Sequence, residues 1–203
     1  WDPVLRRCRY PLDALLSFIV VGITILRMAF FRRRTFASSR GLVVLDSAYT
    51  LDEINARDLY WSISDRDCDG LFGHVWSVHP LVGANEKSPI GSSLRLRELS
   101  PSHTFVEAHT SMGQRWSAFP LTAFALSQRQ LLGYLYRLIV SGRVSAIRVG
   151  DPYYLGLLGY LLVRRTNLAF AVRISGDYDA LFEATGIPAY PRLLRFRRVE
   201  KWI

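Results

Sequence analysis

Residues 144–174 read VSAIRVGDPYYLGLLGYLLVRRTNLAFAVRI, and the fold follows from how this stretch divides. Val144–Val149 is a short run rich in β-branched residues and reads as a strand. Pro152–Arg165 reads as a helix. Asp151 stands where an N-cap side chain accepts backbone N–H bonds, and Pro152 takes the first helical position, where its missing N–H costs nothing. Leu168–Ile174 returns to strand composition. Strand, helix and strand within about thirty residues make a βαβ unit, the mark of a parallel sheet covered by helices. The helix, YYLGLLGYLLV, is apolar nearly all round and is expected to be buried on both faces. Gly156 and Gly159, at i and i+3, clear one stripe of side chains and should let it approach the sheet closely.

The same texture extends upstream. Leu42-Val43-Val44-Leu45, bounded by Gly41 and Asp46, has the form of a buried parallel strand. The pattern predicts a helix over Asp52–Ile63, capped by Thr50 or Asp52, and a second strand over Phe72–Val78. Residues 84–93 read as a loop. Leu94–Leu99 and Thr104–Ala108 read as short strands joined by Ser-Pro-Ser turn chemistry. Leu126–Val140 reads as a helix ending near Gly142, and Ile187–Ile203 as a basic, amphipathic closing helix. The fold class is therefore α/β: a mostly parallel sheet with helices on both faces, over residues 41–203, behind a basic and apolar extension, 1–40.

The chain has 203 residues and a formal net charge of +9. Residues 1–40 hold eight arginines against Asp2 and Asp13, residues 190–203 hold five basic residues against Glu200, and the middle is close to neutral. Basicity confined to the ends, beside apolar segments, suits anionic lipid better than a nucleic-acid groove. No zinc-finger, helix-turn-helix or aromatic–basic stacking motif is present, so nucleic acid is not an expected partner. Cys8 and Cys68 read as two reduced thiols in a cytoplasmic protein, and the four histidines lack metal-ligand spacing. Asp65, Asp67, Asp69 and Gly70 imitate the start of a calcium loop but lack its closing Glu, so no metal is expected.

Leu12–Phe31 is about long enough to cross a bilayer, but Arg27 interrupts it, and arginines at 6, 7 and 9 and at 32–34 flank both ends. With cations on both sides the positive-inside rule selects no orientation. A membrane-embedded or re-entrant segment and a soluble helix packed on the domain both fit. A signal peptide does not, for want of a small-residue cleavage site. The lack of an initiator Met, and a helical pattern running into Ile203 without a C-cap, read as a piece of a longer chain.

Open parallel sheets bind ligands outside the carboxyl ends of their strands. Three turns fall on that edge. The first, after Leu45, carries Tyr49 and leads to Asn55. The second carries Asp151, Tyr153 and Tyr154, and the third is Arg173-Ile174-Ser175-Gly176-Asp177-Tyr178-Asp179. The candidate substrate-binding residues are Tyr49, Asn55, Asp151, Tyr154, Ser175, Gly176 and Asp177, whose carboxylates, hydroxyls and backbone N–H groups suit sugar hydroxyls. The plainer alternative makes Asp151 a helix cap, the tyrosines core, and Ser-Gly-Asp an ordinary turn. No GxGxxG, Walker or GxSxG motif is present, and no catalytic base can be assigned.

AIRVGDPYYLGLLGYLLVRR, VRISGDYD and LLRFRRVEKWI together resemble the end of the N-terminal domain in family-four glycosyltransferases of the GT-B fold. The resemblance covers roughly residues 41–203 and is most specific from Ser145 onward. It implies a Rossmann-like, acceptor-binding half of a retaining enzyme that moves a sugar from a nucleotide-sugar donor, without a metal or other cofactor, to a glycan or lipid-linked acceptor. It also implies that the nucleotide-sugar is bound mainly by a C-terminal domain beyond this chain, and that the protein works in the cytoplasm at the inner face of the membrane. Two positions depart from the family pattern: Tyr49–Asn55 stands in place of a Gly-rich loop, and Ser175 where a His often precedes the Gly. The fragment is not expected to be active alone. A reading from another class is a non-catalytic, membrane-associated α/β module that binds partners in a polysaccharide assembly system.

Overall fold

The computed structural model describes residues 3–30, 39–46, 49–64, 66–82, 94–109, 119–164, 166–174, 176 and 178–186. The expected loop at 84–93 and the closing helix at 187–203 lie outside them, as do Ser175 and Asp177.

The apolar run at Leu42 forms strand β1 (Gly41–Leu45), buried along its whole length. Parallel neighbours flank it on each side, β2 (His74–Val82) and β5 (Ala146–Val149), with Leu45 opposite Val78 and Val149. Beyond β2 lie β4 (His103–His109), parallel to it, and β3 (Leu94–Ser100), antiparallel and joined to β4 by the Ser-Pro-Ser turn. Beyond β5 lies β6 (Ala169–Val172), also parallel. The six-stranded sheet runs β3-β4-β2-β1-β5-β6, so the chain builds outward from β1 first in one direction and then in the other.

Helices cover both faces. Helix α4 (Pro120–Val140) and helix α5 (Tyr154–Val163) pack Leu131, Leu135, Leu138, Leu155, Leu158 and Leu162 onto Val43, Leu45, Val78, Val106, Ile147 and Val149. On the other face, helix α2 (Leu51–Ala56) and the single turn α3 (Trp61–Ser64) bury Leu51, Ile54 and Ile63 against Phe105. Gly159 makes the α5 contact close. A Cβ there would lie 2.6 Å from Val149 Cγ1 and 2.7 Å from the Phe170 ring. Gly159→Val is expected to lift α5 off the sheet and destabilise the fold by about 1–3 kcal/mol. An unchanged denaturant midpoint would show that this helix is free to shift.

The N-terminal segment is one helix, α1 (Pro3–Phe30), packed against α4. Its stretch Tyr10–Met28 is long and apolar enough to cross a membrane, and 11% of that stretch is buried.

Several boundaries differ from the sequence pattern. The helix expected over Asp52–Ile63 breaks after Ala56, because Asp58 adopts a left-handed backbone (φ 54°) and the Leu59 N–H turns back to the Ile54 carbonyl. Its start is as expected, with Thr50 and Glu53 closing a capping box. Strand β2 continues four residues past Val78. Pro80 is accommodated where the register with β4 shifts between His79 and Val82. Helix α4 begins six residues before Leu126. Helix α5 starts at Tyr154, two residues after Pro152, and is not buried all round: Tyr160 is 39% exposed. A further short helix, α6 (Tyr178–Thr185), follows the third turn, where no helix is expected from the sequence.

Candidate functional site

The parallel register brings the first and second predicted turns to one edge of the sheet at its centre, where the chain leaves β1 and β5 toward opposite flanks. The Gly150 N–H bonds the Leu45 carbonyl at 2.8 Å. A Cβ on Gly150 would sit 2.9 Å from Asp46 Oδ1, so the backbone of the second turn passes directly beside the first turn's carboxylate. The Arg173 N–H bonds the Val149 carbonyl at 2.9 Å, which brings the start of the third turn to the same edge.

Asp151 is buried, and its carboxylate accepts the Tyr153 N–H at 2.8 Å. It therefore braces the turn ahead of α5, whose own N-cap position is Tyr153 rather than Asp151. Tyr154 does not line the crevice. Its ring packs 5.8 Å from Phe124 within the main core, and burial holds its phenol well above the ordinary value. The core alternative thus holds for Tyr154, because the first turn of α5 points into the gap between α4 and the sheet. Tyr49 is partly exposed, with the Arg57 guanidinium 4.7 Å from its ring centre. Asn55 lies exposed near the end of α2, and Gly176 is exposed in the third turn.

The edge also carries residues that sequence reading passed over. Arg66 forms an ion pair with Asp46 at 2.5 Å and is itself buried. His79, in β2 one residue past the level at which β1 ends, donates from Nδ1 to the Tyr49 carbonyl at 2.7 Å and lies with its ring tilted against Phe105. Since a carbonyl only accepts, this bond fixes the tautomer and leaves Nε2 with a lone pair. Burial first, and the Arg66 charge second, hold the His79 pKa down at about 4, against the opposing pull of Asp46 and the Tyr49 bond. His79 Nε2 and Arg66 Nη1 are buried without hydrogen-bond partners. Glu107, fully buried, accepts the Leu51 N–H at 2.8 Å and lies 3.3 Å from His109 Nε2, so it supports the N-terminus of α2.

Glu107 left a trace in the sequence: a carboxylate within the apolar run Phe105–Ala108 has to be paired when that strand is buried. His79 and Arg66 left none, because the one follows an apparent strand end and the other sits in an acidic loop.

Chemically, the edge holds the partly exposed carboxylate of Asp46, paired with Arg66, and the buried carboxylate of Asp151, bonded to the Tyr153 N–H, on either side of Gly150. A neutral imidazole and a guanidinium stand behind Asp46. Such a set orients hydroxyl groups and contains no activated nucleophile. No protein-family model, curated protein or solved structure matches the chain.

Proposed function

We propose that this chain is the Rossmann-like, acceptor-binding half of a retaining glycosyltransferase of the GT-B type, which acts at the inner face of the membrane on a glycan or lipid-linked acceptor. The observation that supports the reading best is the placement of Asp46 and Asp151 beside Gly150 at the centre of the parallel sheet, where strand order reverses and ligands of such sheets bind. The order β4-β2-β1-β5-β6 agrees with a Rossmann-like arrangement. In this reading the two carboxylates accept from acceptor hydroxyls, and Tyr49 and Gly176 extend the contact surface. The nucleotide-sugar belongs to a second domain. Catalysis then comes from positioning one hydroxyl against the anomeric carbon.

The test is sugar transfer by the full-length gene product from a panel of labelled nucleotide-sugars to membrane lipid and glycan extracts. Asp151→Asn keeps an oxygen for the Tyr153 N–H and removes the charge. It is expected to lower kcat/KM for the acceptor about tenfold, or about 1.4 kcal/mol of transition-state binding, with thermal stability little changed. Unchanged transfer would remove Asp151 from the site. The burial of Tyr154 favours the second reading, a non-catalytic partner-binding module, because it takes one ligand group away from the crevice. Absence of transfer with every donor would support that reading instead.

A further inference from the structure

Helix α1 is amphipathic in the opposite sense to a core helix. The residues it turns toward α4 include Asp13 and Thr24, both buried, while Leu15, Phe18, Ile19, Ile25, Leu26 and Phe30 face outward. Phe18 is 74% and Phe30 80% exposed. A soluble helix puts its apolar stripe against the domain and its polar residues in water. This one does the reverse, over a continuous surface too apolar for a solvated monomer. A shallow apolar groove of about 450 Å³ opens on the same helix between Ile23, Leu26, Arg27 and Phe30. Arg6, Arg7 and Arg9 precede the apolar stretch, and Arg32, Arg33 and Arg34 follow it.

From this arrangement we infer that α1 is a monotopic membrane anchor: it lies in the plane of an anionic bilayer, apolar face inward, and does not cross it. Lipid is the occupant because the sequence places arginines both before and after the apolar stretch. A helix lying flat keeps both flanking sequences at one leaflet, where their positive charge adds to the attraction for anionic headgroups. A spanning helix would divide them between two leaflets. The packing excludes an upright helix on separate grounds. Asp13 bonds the first turn of α4, Thr24 is buried, and Met28 packs on the main core. The helix is therefore fixed to the domain from Asp13 to Met28, about 22 Å. Standing α1 upright would draw α4, with Gln128, Arg129, Gln130 and Arg137, and the sheet behind it into hydrocarbon. The inference rests on α1 alone and not on the glycosyltransferase reading.

The test uses the full chain and needs no transfer assay. The protein is expected to sediment with vesicles of mixed phosphatidylglycerol and phosphatidylcholine, far less with phosphatidylcholine alone, and less as salt rises. The double variant Leu15→Glu, Phe18→Glu changes only outward positions. It should keep the circular dichroism of the parent and bind about tenfold more weakly or worse. Orientation is read after replacing Cys8 and Cys68 by Ser and introducing Tyr10→Cys or Phe30→Cys in turn. In sealed membrane vesicles from the expressing cells, a membrane-impermeant maleimide added outside should treat both positions alike. One position labelled and the other protected until detergent is added would mean a spanning helix and overturn the inference. So would a chain that ignores anionic vesicles and forms a soluble dimer that the double variant dissociates, since the face would then belong to a second copy.

Discussion

Lowering the pH from 7.5 to 5 is expected to destabilise the folded chain by about 2 kcal/mol through His79 alone, well before the carboxylates titrate. The folded His79 pKa is held at about 4, against 6.5 for the free side chain, with burial the largest cause and Arg66 the next. Between those values the unfolded chain binds a proton that the folded chain refuses. Stability is therefore complete above pH 6.5 and falls as the pH drops toward 4. His103 adds to the same slope. Its Nε2 lies 2.8 Å from Ser77 Oγ, and burial, then Arg66 and His74, lower its pKa to about 4, with Asp67 opposing. With the same folded pKa, its share is of the same size. Denaturant unfolding at pH 7.5, 6 and 5 measures the slope, and His79→Gln should remove about half of it. A flat profile to pH 5 would mean that the buried imidazole finds a counter-charge on protonation.

The contrast between legible and illegible parts has a physical cause. The sheet centre could be read because β1, β5 and β6 follow local rules: apolar runs bounded by Gly and Asp, and a helix of connecting length between the last two. Thr50 could be read for the same reason, since its capping partner Glu53 is three residues away. What could not be read depends on distant residues. Pro80 argues against a continuing central strand, yet its carbonyl is held at 2.8 Å by Gln128, from a helix forty-eight positions on. His79 looks like a residue after a strand until the Tyr49 carbonyl, thirty positions earlier, comes to meet it. The candidate site divides the same way. Asp151 announces itself through Gly150 and Pro152, whereas the Asp46–Arg66 pair joins two loops twenty positions apart. A helix apolar all round gives no sign of which side its first turn faces, so the sequence pattern does not place Tyr154 in the core.

The N-terminus of α4 is the clearest case of such dependence, and it supports the second large prediction. Phe119 holds its N-cap position and offers no side-chain acceptor, so the local mark of the helix start is Pro120 at the first helical position, without a capping side chain. The acceptor comes from α1. Buried Asp13 takes the Leu121 N–H at 2.9 Å, the Thr122 N–H at 2.8 Å and the Thr122 hydroxyl at 2.7 Å. Asp13→Ala would leave two backbone donors unsatisfied at a buried helix end, while the Thr122 hydroxyl keeps the residue-13 backbone carbonyl it meets at 3.2 Å; the expected cost is about 2–3 kcal/mol. Asp13→Asn keeps one acceptor oxygen and should lose roughly half as much. Two readouts separate a cap from simple packing. The denaturant midpoint should fall in the order parent, Asn, Ala, and amide exchange at Leu121 and Thr122 should accelerate ahead of exchange at Leu131 and Leu135 in the core. A loss under about 0.5 kcal/mol in the Ala variant would show that water replaces the carboxylate, as at an ordinary exposed helix end. A full loss would mean that α1 and the sheet-covering helix stabilise one another through a single buried side chain. The apolar helix would then be part of the domain's stability as well as its outermost layer.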